Sequence, residues 1–200
     1  QRYQLDLESG AITADAAQQA LVGHLQNLYE RIIRAEPLGS GPLGRLKHRL
    51  FASEQSTDPI QGLYIWGGVG RGKTYLMDVF FESLPSESKM RTHFHRFMQR
   101  VHRDLVTLQG QKNPLEKVAD QIARESRVLC FDEFFVRDIG DAMILASLLE
   151  ALFKRKVILI TTSNIEPDGL YEDGLQRQRF LPAIELIKEH TQNIEIQSGV

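Results

Sequence analysis

Gly67-Gly68-Val69-Gly70-Arg71-Gly72-Lys73-Thr74 is the stretch on which the fold turns. It fits G-x-x-x-x-G-K-[ST] at every fixed position. Before it stands Leu63-Tyr64-Ile65-Trp66, a short apolar run of strand length. After it, Lys73 to Leu84 is apolar nearly all round, which predicts a buried helix that Pro85 ends. Strand, glycine-rich turn and helix together make a phosphate cradle. Glycines let the backbone bend tightly and aim its N–H groups at a common anion. The helix adds the positive end of its dipole. Lys73 has the reach for β- and γ-phosphates, and the Thr74 hydroxyl is a magnesium ligand by type. A turn that merely joins strand to helix is the ordinary alternative, and the flanking elements argue against it. The expected phosphate-binding set is Gly67, Gly68, Val69, Gly70, Arg71, Gly72, Lys73, Thr74 and Tyr75.

Outward from this loop, strand-like and helix-like runs alternate. Thr92 to Arg96 is an expected strand, and Phe97, Val101, Leu105 and Leu108 form a helical stripe. Asn113-Pro114-Leu115-Glu116 resembles a capping box with proline at the first helical position. Val128 to Phe131 is apolar without interruption, as in a strand covered on both faces. Asp141 to Lys154 reads as a helix, Val157 to Ile160 as another buried strand, and Leu175 to Phe180 as a helical turn. A helix begins at Pro182, and Asn193 to Ile196 is the last expected strand. The pattern predicts an α/β fold: a three-layer core with a mostly parallel five-stranded sheet and helices on both faces. Ahead of it, Asp15 to Ala35 carries Leu21, Leu25, Leu28 and Ile32 on one face, with Thr13 or Asp15 as cap. Pro37 to Pro42 reads as a hinge. The expected organisation is an N-terminal helical extension and linker over residues 1–61, packed on a core over residues 62–200.

Two more strand ends carry chemistry. Val128-Leu129-Cys130-Phe131 runs into Asp132-Glu133. In open α/β sheets the C-terminal strand ends flank the ligand. Asp132 there would support the magnesium shell, and Glu133 would orient and deprotonate an attacking water. Acidic residues at a solvated strand end are the alternative. The next strand ends in Thr161-Thr162-Ser163-Asn164. The Asn164 amide is suited to a γ-phosphate and its attacking water, with Thr162 or Ser163 as alternates and an Asx turn as the structural reading. Arg177 and Arg179 follow. An arginine at a subunit edge is able to stabilise transition-state charge on a neighbour, whereas surface ion pairs are the common use of such residues.

The bulk numbers narrow the classes. A net charge of -2 argues against a general electrostatic binder of nucleic acid. The single cysteine, Cys130, rules out an internal disulfide and reads as a small buried hydrophobe. No apolar run reaches the roughly 18 residues of a membrane span, and no signal-peptide pattern opens the chain. A cytoplasmic setting is expected. His93, His95 and His102 are metal ligands by type but lack a companion at suitable spacing.

The order of these motifs resembles an AAA+ ATPase, and more closely the ZapE-type cell-division ATPases with their mitochondrial AFG-one-like relatives. The resemblance rests on residues 62–74, on His93-Phe94-His95-Arg96-Phe97-Met98, on Asp132-Glu133-Phe134 with 138–145, and on Gly174-Leu175-Gln176-Arg177 with Phe180-Leu181-Pro182. It implies ATP as the nucleotide. Lys73 and Thr74 match the Walker A ligands, Asp132 and Glu133 the Walker B pair, and Asn164 the first sensor. Arg177, ahead of Arg179, matches the arginine finger. It further implies action on FtsZ polymers or another division protein, recruitment to the septum and self-association into a ring; the mitochondrial relatives are linked to inner-membrane protein turnover. AAA+ proteins carry a helical lid after the fifth strand, so the expectation here is the α/β core with the lid absent. An ATP-dependent switch of helicase-loader type is the alternative to an ATP-hydrolysing motor. A further expectation makes His95 a polar switch that holds Glu133 away from water.

Overall fold

Five strands, all parallel, form one sheet in the order β2-β3-β4-β1-β5: β1 Gly62–Gly67, β2 Lys89–His93, β3 Val128–Asp132, β4 Ile158–Ser163 and β5 Thr191–Ile196. The computed structural model describes residues 16–35, 59–70 and 72–196. The helices are α1 Ala16–Ala35, α2 Lys73–Ser83, α3 Phe94–Thr107, α4 Pro114–Glu125, α5 Ile139–Lys154 and α6 Leu181–His190. Two short 3-10 turns, Pro167–Gly169 and Arg177–Arg179, lie between β4 and α6.

Alternation along the strands builds two cores, because successive side chains point to opposite faces. Tyr64, Leu129, Phe131 and Leu159 face one way, against α3, α4, α5 and α6. Leu63, Ile65, Val128, Cys130, Ile158 and Ile160 face the other, against α1 and α2. The apolar stripe of α1, Leu21, Leu25, Leu28 and Ile32, is buried in that second core. On the first face Phe94, Phe97, Phe131 and Phe134 form an aromatic cluster with ring centroids 4.3–6.1 Å apart. This is the three-layer α/β core of a P-loop NTPase.

Several boundaries differ from the sequence reading. The strand expected at Thr92 to Arg96 is Lys89–His93, and the chain turns helical at Phe94. β2 is one of the two edge strands, and its charged residues lack the apolar signature of the buried strands. His93 and His95 therefore do not alternate along a strand: His93 ends β2, and His95 lies in α3. Pro114 does open α4, but Asn113 makes no side-chain cap and has φ 51°. Glu116 pairs with Arg155 instead of closing a capping box. α5 begins two residues early because Asp138 caps it, accepting from the Gly140 and Asp141 N–H groups at 2.6 and 3.3 Å. Thr13, Asp15 and the hinge at Pro37 to Pro42 lie outside the described residues.

Candidate nucleotide-binding site

Every strand of a parallel sheet delivers its C-terminal residue to the same edge. Here that edge receives Gly67 from β1, His93 from β2, Asp132 from β3 and Ser163 from β4. β4 lies between β1 and β3, so the phosphate loop is flanked by the polar end of β4.

The loop has the backbone that the glycines imply. Gly67, Gly70 and Gly72 have φ of 142°, 80° and 74°. A Cβ on Gly67 would lie 2.4 Å from the Ile196 carbonyl oxygen, so β5 leaves no room for a side chain. Beyond its chain neighbours, no heavy atom of the described residues lies within 4 Å of where a Cβ on Gly70 would be. A Cβ on Gly72 would meet the Gln18 side chain at 2.9 Å, which places the start of α1 against the loop. That neighbour was not legible in the sequence, since nothing in α1 marks it as a site element. Gly72 stands at the N-cap of α2, and Leu76 N–H donates to its carbonyl at 2.9 Å. Gly68, Val69 and Gly70 are exposed, and Arg71 lies outside the described residues. Tyr75 is half-buried against the α1–α2 core.

Lys73 is buried, and its ammonium lies across the loop. It donates to the Gly67 and Gly68 carbonyls at 2.7 and 2.8 Å and to Asn164 Oδ1 at 3.2 Å. The structure thus brings Lys73 and Asn164 together. Of the four polar residues Thr161 to Asn164 at the end of β4, only Asn164 is exposed. Thr162 Oγ1 accepts from the Glu133 N–H at 3.3 Å, and Ser163 Oγ donates to the Phe134 carbonyl at 2.9 Å. Both hydroxyls hold the segment after β3. Ser163 also supplies the side-chain turn, accepting from Ile165 N–H at 3.1 Å, and this leaves the Asn164 amide to the loop.

The adjacent carboxylates of β3 diverge. The Asp132 side chain is nearly buried and Glu133 is 79% exposed. Glu133 has φ 56°, a left-handed conformation that is uncommon outside glycine. Asp132 receives both Nε and Nη2 of Arg91 at 2.8 and 3.1 Å, and Arg91 Nη1 also pairs with Asp78 on α2. The sequence reading missed Arg91; a charged residue in an edge strand carries no motif. His93 Nδ1 lies 3.9 Å from Glu133 Oε2, and no ion pair joins His95 to Glu133 among the described residues. Among the described residues, the side chain within ion-pair distance of Glu133 is His93, the residue paired in register with Asp132. His95 lines a cavity of about 620 Å³ beside Glu133, Phe135, Arg137 and Asn164. His102 is bound to Asp141 at 2.7 Å.

The downstream arginines are not brought to the loop by any hydrogen bond or ion pair among the described residues. Arg177 Nη2 donates to the Asp168 carbonyl at 2.6 Å, and its buried Nε has no hydrogen-bond partner among the described residues. Arg179 is exposed and donates to Gln176 Oε1 at 3.1 Å.

As donors, a hydroxyl at Thr74 and a carboxylate at Asp132 are hard oxygen groups of the kind magnesium takes. Among the described residues no cluster of three or more His, Cys, Asp or Glu side chains is placed to hold an ion. No helix among the described residues is long and apolar enough to cross a membrane.

A family model described as AFG1-like ATPase matches residues 1–200. The chain is 50% identical over 204 residues to the cell division protein ZapE of Escherichia coli strain K12, covering all of this chain and 54% of that protein. It is 43% identical over 153 residues to lactation elevated protein 1 homolog B of Danio rerio, covering 71% of this chain and 30% of that one. The chain spans about half the length, or less, of these curated relatives. Among solved structures, DnaI matches with a TM-score of 0.53 at 21% identity, over 78% of this chain and 80% of DnaI. AMPPCP-bound DnaA from Aquifex aeolicus matches with a TM-score of 0.50 at 17% identity, over 80% of this chain and 48% of DnaA. These two likenesses concern the fold.

Proposed function

The chain belongs to the AFG1-like ATPase family, and from that premise we propose that it binds ATP with magnesium at the β1–α2 loop and hydrolyses it. The observation that carries the reading is the convergence of Lys73, Asn164, Asp132 and Glu133 at one sheet edge, with the Lys73 ammonium already bonded to Asn164.

The mechanism follows from the positions. The loop backbone and the N-terminus of α2 receive the phosphates. Lys73 exchanges its carbonyl acceptors for phosphate oxygens. Thr74 and Asp132 would hold a magnesium ion, whose charge would offset that of the phosphates. Asn164 orients the attacking water, and Glu133, exposed and one residue beyond Asp132, takes its proton. Arg177 is the proposed arginine finger toward a neighbouring copy in a ring, where leaving Asp168 would give its unpartnered Nε an acceptor; Arg179 is the alternate. Residues 62–200 form the nucleotide core in this reading, and residues 1–61 an extension packed on it.

The use of turnover is proposed from the cell-division role in the Escherichia coli relative's name together with what the sequence resemblance implies: remodelling of FtsZ polymers at the septum. Glu133→Gln tests both steps. Its ATP affinity should stay near wild type while turnover falls by roughly 10²–10⁴-fold. In a pelleting assay, wild type with ATP should change the FtsZ polymer fraction, and the variant should not release it. Turnover at the wild-type rate in Glu133→Gln would remove Glu133 from the chemistry. Full partner activity without turnover would make the protein a switch.

A further inference from the structure

Arg91 is the third residue of β2, paired in register with Cys130. Side chains in register share a face, and so do residues two apart along a strand. Arg91, Cys130 and Asp132 therefore lie on the face that α2 covers. From there one guanidinium reaches two elements. Its Nε and Nη2 fork the Asp132 carboxylate at 2.8 and 3.1 Å, and Nη1 pairs with Asp78. Asp78 stands four residues after Thr74 on α2, one turn along the same side of the helix. The bridge thus joins the strand end that carries Asp132 to the helix that carries Thr74.

An ordinary ion pair that fastens an edge strand would be a sufficient account of one contact. It does not account for the fork or for its place. A bidentate guanidinium fixes the plane of a carboxylate as well as its position. Arg91 is the hydrogen-bond partner of that carboxylate among the described residues, and the two side chains are 16% and 12% exposed. A carboxylate offers about four lone-pair sites, so the fork leaves one on each oxygen.

We propose that Arg91 is a positioning residue for magnesium-dependent nucleotide binding, holding the Asp132 carboxylate in a fixed plane and distance from Thr74 through its second contact at Asp78. This rests on the nucleotide-site reading above. Arg91 acts through Asp132 and touches no nucleotide atom. Groups that orient a metal ligand typically change metal affinity when lost.

The test measures binding without turnover, using a fluorescent ATP analogue titrated in EDTA and then with magnesium. Wild type, Arg91→Met, Arg91→Lys, Asp132→Asn and the Arg91→Met/Asp132→Asn double variant are compared. In EDTA all should bind within about twofold of one another, since Arg91 is expected to act only on the metal step. The magnesium needed for half-maximal tightening should rise roughly 10–100-fold in Arg91→Met. Arg91→Lys keeps the charge but not the fork and should recover only part; it carries the test if the methionine variant does not fold. The double variant should be no worse than Asp132→Asn, because the two residues work as one unit. A magnesium dependence unchanged by Arg91→Met, with only a lower Tm, would make the bridge purely structural and overturn the proposal. A lower magnesium requirement would overturn it too, since Arg91 would then compete with the metal. Failure of the wild type to bind the analogue under either condition overturns the nucleotide-site reading; binding without any magnesium effect overturns this proposal.

Discussion

Replacing Lys73 with methionine separates binding from folding, because the structure assigns different amounts to each. The ammonium donates to Gly67 O, Gly68 O and Asn164 Oδ1 at 2.7, 2.8 and 3.2 Å. Of these acceptors, Gly68 and Asn164 are exposed and Gly67 is buried. Water replaces the lysine at the exposed pair. Only the Gly67 carbonyl is left short, at a cost of about 1–3 kcal/mol, and the apolar methionine relieves the desolvation of a buried charge. The fold should survive with a Tm lower by no more than several degrees. Nucleotide affinity should suffer more. A charge-assisted hydrogen bond contributes about 1.5–3 kcal/mol, and about 1.4 kcal/mol is tenfold in affinity, so Lys73→Met should bind ATP roughly 10–150-fold more weakly. Isothermal titration gives the affinity, and thermal melts with and without ATP give the stability. A folded Lys73→Met that binds ATP within about threefold of wild type would refute the phosphate-loop reading, because the loss expected from one such contact is at least tenfold.

Two further outcomes follow from single residues. Burial pushes the Cys130 thiol up to about 12, while a thiol in an unfolded chain titrates near 8.5. The folded state keeps its proton longer, so this contribution is full below about pH 8.5 and falls with rising pH by about 1.4 kcal/mol per unit toward the folded value. Urea midpoints at pH 8 and pH 10 should therefore drop further for wild type than for Cys130→Ala; equal drops would show that the thiol is not sealed. Asp138 caps α5 through two N–H groups, and Asp138→Ala should cost about 1 kcal/mol in chemical denaturation with ATP affinity unchanged. No loss of stability would mean that the cap is replaced by water.

What the sequence discloses, it discloses through period and motif. The apolar runs at Val128 to Phe131 and Val157 to Ile160 could be read as central strands because a parallel sheet covered on both faces demands them. The phosphate loop was legible for a similar reason: three of its glycines have positive φ, which few other residues adopt. β2 was misplaced because an edge strand with half-buried charges has no such pattern, and the aromatic helix that follows it pulled the boundary toward Phe97. Contacts between distant segments were not legible. Gln18 beside Gly72, His93 beside Glu133 and Arg91 on Asp132 each depend on how elements pack, which no local spacing records.

The pair Asp132-Glu133 shows what the backbone adds to a motif that is legible. Two adjacent carboxylates have the same chemistry, and the motif alone does not show how their surroundings differ. The strand gives them different surroundings. Asp132 is its last residue and points to the α2 face, where Arg91 fixes it; Glu133 turns left-handed at φ 56° and is 79% exposed. A non-glycine residue in that region costs on the order of 1 kcal/mol or more, and it persists only where neighbours impose it. The neighbours are the end of β4: Thr162 receives the N–H groups of both Glu133, through its hydroxyl, and Phe134, through its carbonyl at 2.8 Å. Ser163 adds a bond to the Phe134 carbonyl. The strand that offers Asn164 to Lys73 thus also holds the turn that exposes Glu133. The proposed water-orienting amide and the proposed base are positioned by one rigid element, so a shift of β4 would move both together.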